Sequence, residues 1–284
     1  MNIVLTERDE YLLSWLWQVR YATPRQVHRF IFEDTKRCTA TNRLLALQEA
    51  GLVKIATKGV YQVADKDRKV VCITRGGVAA LNQQRPNNPI RPTDVPKTDA
   101  WALSRTGLIH DLRLVDVGIS LCETLEDASW TSEHVLRSHI RKNAGSGTRI
   151  PDALLSFQVG DEKHSLVLEN EYARYSQEKF VKILDKLRWQ YPGFIRMFVV
   201  ADMSHLAHLL HWASTTGYAN YSSEMLVFGH YPDVVENGAN ATWIHVGGEI
   251  SPDHILRQAC TGSCDNEDIE DGDGREDDGQ SPTD

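Results

Sequence analysis

Residues 149–171 read RIPDALLSFQVGDEKHSLVLENE, and the reading of the fold turns on them. Arg149-Ile150-Pro151-Asp152 leads into a strand, Ala153–Val159. A Gly160-Asp161 turn then returns the chain through Ser165–Glu171. Side chains alternate faces along a strand, so Val167, Glu169 and Glu171 share one face of the second strand. Two adjacent hairpin strands therefore converge Asp152, Glu169 and Glu171. Three carboxylates in one place repel one another unless a cation sits among them. Hard oxygen ligands with few nitrogen or sulfur donors nearby suit Mg2+ or Mn2+.

The helix that follows, Ser176–Tyr191, has a core face of Phe180, Ile183, Leu184, Leu187 and Tyr191. Lys179, Lys182 and Lys186 line one flank at i, i+3 and i+7. Lysines beside a carboxylate–metal cluster suit phosphoryl transfer on DNA, where they offset phosphate charge; the alternative is a solvated helix face. Strand Phe194–Ala201, helix Ser204–Thr215 and strand Met225–Phe228 complete a mixed sheet flanked by helices. Upstream, a helix over Leu108–Leu121 carries His110 among Leu108, Ile109, Leu112 and Leu114. That histidine is either a core residue or one that positions a phosphate or water, or shuttles a proton near neutral pH. Glu133 is a further metal ligand or a solvated glutamate. Tyr172 and Tyr175 are packing or DNA-stacking residues, with a nucleophilic role as the rival reading. His205, His208 and His211 fall on the side of their helix away from Leu206, Leu209 and Leu210, which makes them polar surface and not a metal site.

The first 81 residues have a different order. Thr6 caps a helix with Tyr11, Leu12, Trp15 and Leu16 at helical spacing. Thr23-Pro24 starts a second helix through Val27 and Phe30. A third, from about Lys36 to Ala50, stops at Gly51 and turns Ala40, Leu44 and Leu47 inward. Arg37, Thr39, Thr41, Asn42 and Arg43 lie on its early, outward side. Two β-rich runs, Leu52–Thr57 and Val60–Val63, flank Lys58-Gly59, and Lys69–Thr74 follows. Three helices and a hairpin make the winged helix-turn-helix order, in which the third helix enters the DNA major groove and the hairpin, here Lys58, approaches the backbone. The expected domains are a winged helix-turn-helix over 1–81, a proline-rich linker over 82–99, an α/β nuclease-like domain over 100–257 and an acidic, disordered tail over 258–284.

The formal net charge of −8 is unevenly spread. Residues 261–284 hold ten acidic residues against one arginine, a net of −9 that leaves +1 for the remainder, and residues 1–100 alone carry +6. The basic part is thus the part expected on DNA. Five scattered cysteines argue against a disulfide framework and for a reducing compartment. With no long apolar run and a charged start, the chain is expected to be cytoplasmic and not inserted in a membrane.

The order helix, strand, PD strand, E-x-E strand, helix, strand resembles the PD-(D/E)XK nuclease core, with Glu171 where that core usually has lysine. Lys186 or Lys182 is then the expected source of the missing cation. Taken with LTERDEYLLSWLWQVRYATPRQVHRFIF, NRLLALQEAGLV, HDLRLVDVGISL, Trp130–Arg137 and KLRWQY, the chain over about residues 5–200 resembles the replication-relaxation family. It also resembles the MOB-C plasmid mobilisation relaxases, which share the restriction-like domain. That resemblance implies metal-dependent nicking of one strand at a plasmid transfer origin. It also implies a histidine–glutamate–asparagine signature, matched here to His110, Glu169 and Asn170, and partners such as an accessory mobilisation protein or a coupling protein. The alternative is a non-catalytic regulator of plasmid replication or transcription whose nuclease-like domain is inert.

Overall fold

A computed structural model describes residues 3–57, 69–84, 89–90, 105–140, 148–171, 174–217 and 226–250. Lys58, Tyr172, most of the proline-rich stretch, Cys260, Cys264 and the acidic tail lie outside these residues.

The first unit packs helices α1 (Glu7–Val19), α2 (Pro24–Ile31) and α3 (Arg37–Glu49) around Leu12, Leu16, Val27, Leu44 and Leu47. Local chemistry fixes the helix starts. Thr6 and Thr23 each close a reciprocal capping box, with Asp9 and with Gln26, and Pro24 takes the first helical turn. Strands β1 (Val53–Thr57) and β2 (Lys69–Ile73) pair antiparallel from Val53 opposite Ile73 to Thr57 opposite Lys69. Among the described residues the first β run finds its partner in Lys69–Ile73; the expected Val60–Val63 run lies outside them. Helix α4 (Arg75–Gln84) closes the unit and extends past the expected boundary at residue 81.

The second unit is an α/β layer structure. Helix α5 (Arg105–Thr124) precedes β3 (Ser129–Ser132), α6 (Glu133–Ile140), β4 (Ala153–Val159) and β5 (Glu162–Glu171). Then follow α7 (Gln177–Gln190), β6 (Ile195–Val200), α8 (Met203–Thr215), β7 (Leu226–His230), α9 (Tyr231–Asn237), β8 (Trp243–His245) and β9 (Gly248–Ile250). The seven strands run in sequence order across one sheet. β3, β4 and β5 are antiparallel, β5, β6 and β7 are parallel through the crossover helices α7 and α8, and β7 to β9 are antiparallel again. Helix α9 and the last two strands are elements that sequence periodicity did not mark.

Alternation sorts the sheet's two faces. Leu155, Phe157, Leu166 and Leu168 join the core beneath α5, whereas Val167, Phe198 and Phe228 join Phe180, Leu184 and Leu187 of α7. Gly118 of α5 lets the helix approach β3 closely, since a Cβ there would lie 2.8 Å from the Trp130 ring. That approach seats α5, and His110 two turns upstream, over the start of β4.

The two units pack together. The buried Gln26 side chain donates from Nε2 to the Leu112 carbonyl and to Asp116 Oδ1, both at 2.8 Å. Arg29 bonds Ser120 Oγ at 3.0 Å and pairs with Glu123. α2 thus rests on α5, and the two units share a continuous core.

Candidate active site

The site forms where α5 crosses the mouth of the β4–β5 hairpin. Asp152, the residue before β4, is its hub. Its Oδ2 accepts from the Asn170 backbone N–H at 2.8 Å and lies 3.1 Å from His110 Nε2. Asn170 points to the α5 face and donates from Nδ2 to the His110 carbonyl at 3.2 Å. Burial alone would depress the His110 pKa. Asp111 and Asp152 more than offset this and raise it to about 11, so the ring is an imidazolium at neutral pH. A ring that keeps its proton at neutral pH carries a positive charge beside Asp152.

Glu169 and Glu171 occupy the opposite face, as alternation requires. Glu169 is 1% exposed. Its Oε2 accepts from Arg149 Nη2 at 2.5 Å, while its Oε1 has no hydrogen-bond partner among the described residues. Burial, Asp152 and Glu171 push its pKa well above the carboxylate range, against the pull of Arg149. Glu171 is pushed up to about 7, mainly by burial. The Tyr175 hydroxyl is within electrostatic reach of Glu171 but makes no well-formed hydrogen bond; burial and Glu171 hold its pKa far above the usual phenol range.

Among the described residues Arg149 is the cation paired with Glu169, as His110 is with Asp152. Burial works against the Arg149 charge, but Glu169, Asp152 and Glu171 together raise its pKa. Arg149 stands in the RIPD segment, where strand alternation assigns it no role. The signal available was the only basic residue of the 149–162 stretch, three positions before the aspartate. No ion pair between these carboxylates and Lys182 or Lys186, the lysines expected in that role, is present among the described residues. Lys182 is exposed and pairs with Glu178 at 2.6 Å, Lys179 lies 5.2 Å over the Tyr175 ring, and Lys186 is exposed on α7.

The expected metal set is Asp152, Glu169 and Glu171. Its oxygens and the orphaned Glu169 Oε1 have the right donor chemistry for Mg2+ or Mn2+. Their disposition does not fit a bound ion as it stands. Asp152 is committed to His110 and Asn170, Glu169 to Arg149, and no group of three His, Cys, Asp or Glu among the described residues is arranged to hold a metal. Glu133 is paired with Arg137 one turn on.

The fold, the site and the sequence pattern meet in one assignment. The chain belongs to the replication-relaxation family. The family's model matches residues 13–221, from within α1 to beyond α8, and so takes in most of both units and every site residue above. No curated protein and no solved structure matches the chain.

In this replication-relaxation protein the expected DNA-reading helix is α3. Arg37, Thr39, Thr41 and Asn42 are exposed there, with Thr41 Oγ1 donating to the Arg37 carbonyl at 3.0 Å. Arg43 behaves differently from its sequence reading. It turns back to pair with Asp9, which is 1% exposed, and bonds the Val4 carbonyl at 3.0 Å. It braces α3 against α1. On α8, His208 and His211 are exposed as expected, but His205 is buried, edge-on to Tyr175 at 5.6 Å. The Tyr175 ring covers a position that helical spacing alone assigned to solvent. No helix among the described residues is long and apolar enough to cross a membrane.

Proposed function

We propose that this protein binds DNA of a plasmid or related mobile element through α3 and breaks one strand at the His110–Asp152–Glu169 site, as a relaxase at a transfer origin. The observation that carries the reading is the hub at Asp152. A histidine held positive at neutral pH, the paired carboxylates and Asn170 meet at the mouth of one hairpin, beneath a helix docked to the DNA-reading unit. A fixed imidazolium there can take up negative charge developing on a scissile phosphate. An accessory mobilisation protein or a coupling protein is the expected partner.

Mg2+ or Mn2+ is the proposed cofactor, and such an ion would activate water and stabilise the leaving oxygen. Arg149 stands in its way, so binding requires that guanidinium to withdraw from Glu169. The same contact favours a second reading, a regulator of plasmid replication or transcription in which Arg149 has permanently replaced the metal.

Incubating supercoiled plasmid carrying its own origin with the protein, with and without Mg2+ or Mn2+, separates the two readings. Conversion to open circle only with the ion, and only on the cognate plasmid, supports nicking. Binding without strand breakage supports the regulator.

A further inference from the structure

Cys38, Thr41, Asn42 and Leu45 recur along α3 at i, i+3, i+4 and i+7, so they form one stripe. All four are exposed, and the stripe lies opposite the buried Ala40, Leu44 and Leu47. Leu45 itself is 43% exposed. A single exposed leucine is ordinary on a protein surface. This one stands within the outward face of the third helix of a winged helix-turn-helix order, the face that such a fold lays in the major groove. The charge of the helix suits that neighbour, since residues 36–48 hold three cations and no acidic residue.

Contacts within the protein decide what the stripe has left to offer. Thr41 Oγ1 donates to the Arg37 carbonyl at 3.0 Å, so its hydrogen is spent and a methyl and an acceptor oxygen remain. Gln48 Oε1 accepts from the Ile55 N–H at 2.8 Å, and Arg43 is paired with the buried Asp9. The Asn42 amide has no hydrogen-bond partner among the described residues. Lys36 and Arg37 stand exposed at the helix start, where phosphate contacts fall, and not within the stripe. What remains is apolar surface beside one amide that can donate and accept at once. The apolar group a base pair presents in the major groove is the thymine C5 methyl, and an asparagine amide matches adenine N6 and N7.

We propose that α3 reads A·T pairs in duplex DNA, with Leu45 packed on a thymine methyl and Asn42 bonded to an adenine edge. The inference rests on the reading of α3 as the DNA-binding helix and is independent of whether the protein breaks a strand.

The test selects binders of the full chain from a library of randomised duplexes and measures affinity for the selected duplex by fluorescence anisotropy. Copies then carry deoxyuridine at each thymine in turn, which removes only the C5 methyl, or 7-deazaadenine at each adenine, which removes N7. The wild type is expected to lose about four-fold at one uracil, the worth of one buried methyl-sized group. At one deazaadenine the expected loss is about ten-fold. Leu45→Ala replaces an exposed residue by a better helix former and should melt like the wild type. It should no longer feel the uracil but still feel the deazaadenine, and Asn42→Ala should do the reverse. A uracil penalty equal in wild type and Leu45→Ala, or a selected site without A·T pairs, overturns the proposal and leaves α3 as a DNA-binding helix. So does a wild-type dimer that Leu45→Ala dissolves with no change in the uracil penalty, which makes the stripe a contact between copies. A library from which no duplex is enriched removes the DNA-binding reading and this inference together.

Discussion

Replacing Arg149 by methionine isolates the balance of charge on which the site depends. The substitution keeps length and apolar stem but leaves Glu169, 1% exposed, beside Asp152 and Glu171 without its ion-pair partner. Removing one partner of a buried ion pair typically costs about 3–5 kcal/mol. The Arg149 side chain is 32% exposed, so solvent already screens part of the pair, and the expected loss is near the lower end, about 3 kcal/mol at pH 8. With urea slopes of about 2–3 kcal/mol/M the unfolding midpoint then falls by about 1–1.5 M. The loss should shrink near pH 5, where Glu169 can escape by holding a proton. It should also shrink when Glu169→Gln is added, because a pair replaced on both sides leaves no orphaned charge. Millimolar Mn2+ should restore stability to Arg149→Met if the vacated carboxylates take the ion, through preferential binding to the folded state. Urea unfolding at both pH values, with and without Mn2+, reads all of these. An Arg149→Met protein as stable as the wild type at pH 8, or a loss that Glu169→Gln fails to relieve, refutes the assignment of Arg149 as the site's resident cation.

Glu171 predicts a pH slope. Its pKa rises from 4.5 to about 7 in the folded state, so between those values the folded protein keeps a proton that the unfolded chain has lost. Stability must therefore fall as pH rises through that window, by a total on the order of 3 kcal/mol, and Glu171→Gln should remove this share of the slope; superimposable wild-type and variant profiles by urea titration would exclude it. Arg37→Ala should weaken duplex binding with little effect on melting, while Arg43→Ala should cost about 2–3 kcal/mol of stability by stranding Asp9. Thermal melts beside gel shifts separate the two, and an Arg43→Ala variant that melts normally but fails to bind would return Arg43 to the DNA-reading surface. Deleting residues 261–284, which carry −9, should tighten binding to random duplex at low salt and have little effect at high salt. Equal low-salt affinities would assign the tail to solubility or to a partner.

Residues 149–171 were legible because strand alternation is rigid. Once Ala153–Val159 and Ser165–Glu171 are strands joined by a tight turn, Glu169 and Glu171 must share a face and Asp152 must lie beside them. The capping threonines and Pro24 were equally readable, since their geometry is local. Long-range pairing was not. Lys69–Ile73 partners β1 across a stretch whose length carries no register, so the nearer Val60–Val63 run looked like the better match. Charge pairing was the least accessible. Nothing in helical spacing says that Arg43 folds back on Asp9, or that Arg149 and not a lysine of α7 neutralises the carboxylates. Each depends on which cation the fold brings within reach of a buried acid, and that is set by packing between elements.

Strand breakage set against binding in one preparation tests the proposed nicking most directly. Wild type, Glu169→Ala and Asp152→Asn are titrated onto cognate supercoiled plasmid with Mn2+, and nicking and gel-shift affinity are read on the same samples. Open-circle product is expected from the wild type and none from either variant, with affinities for the duplex within a few-fold of one another. Full nicking by a folded Glu169→Ala protein, or a wild type that binds its origin and leaves both strands intact, would contradict it.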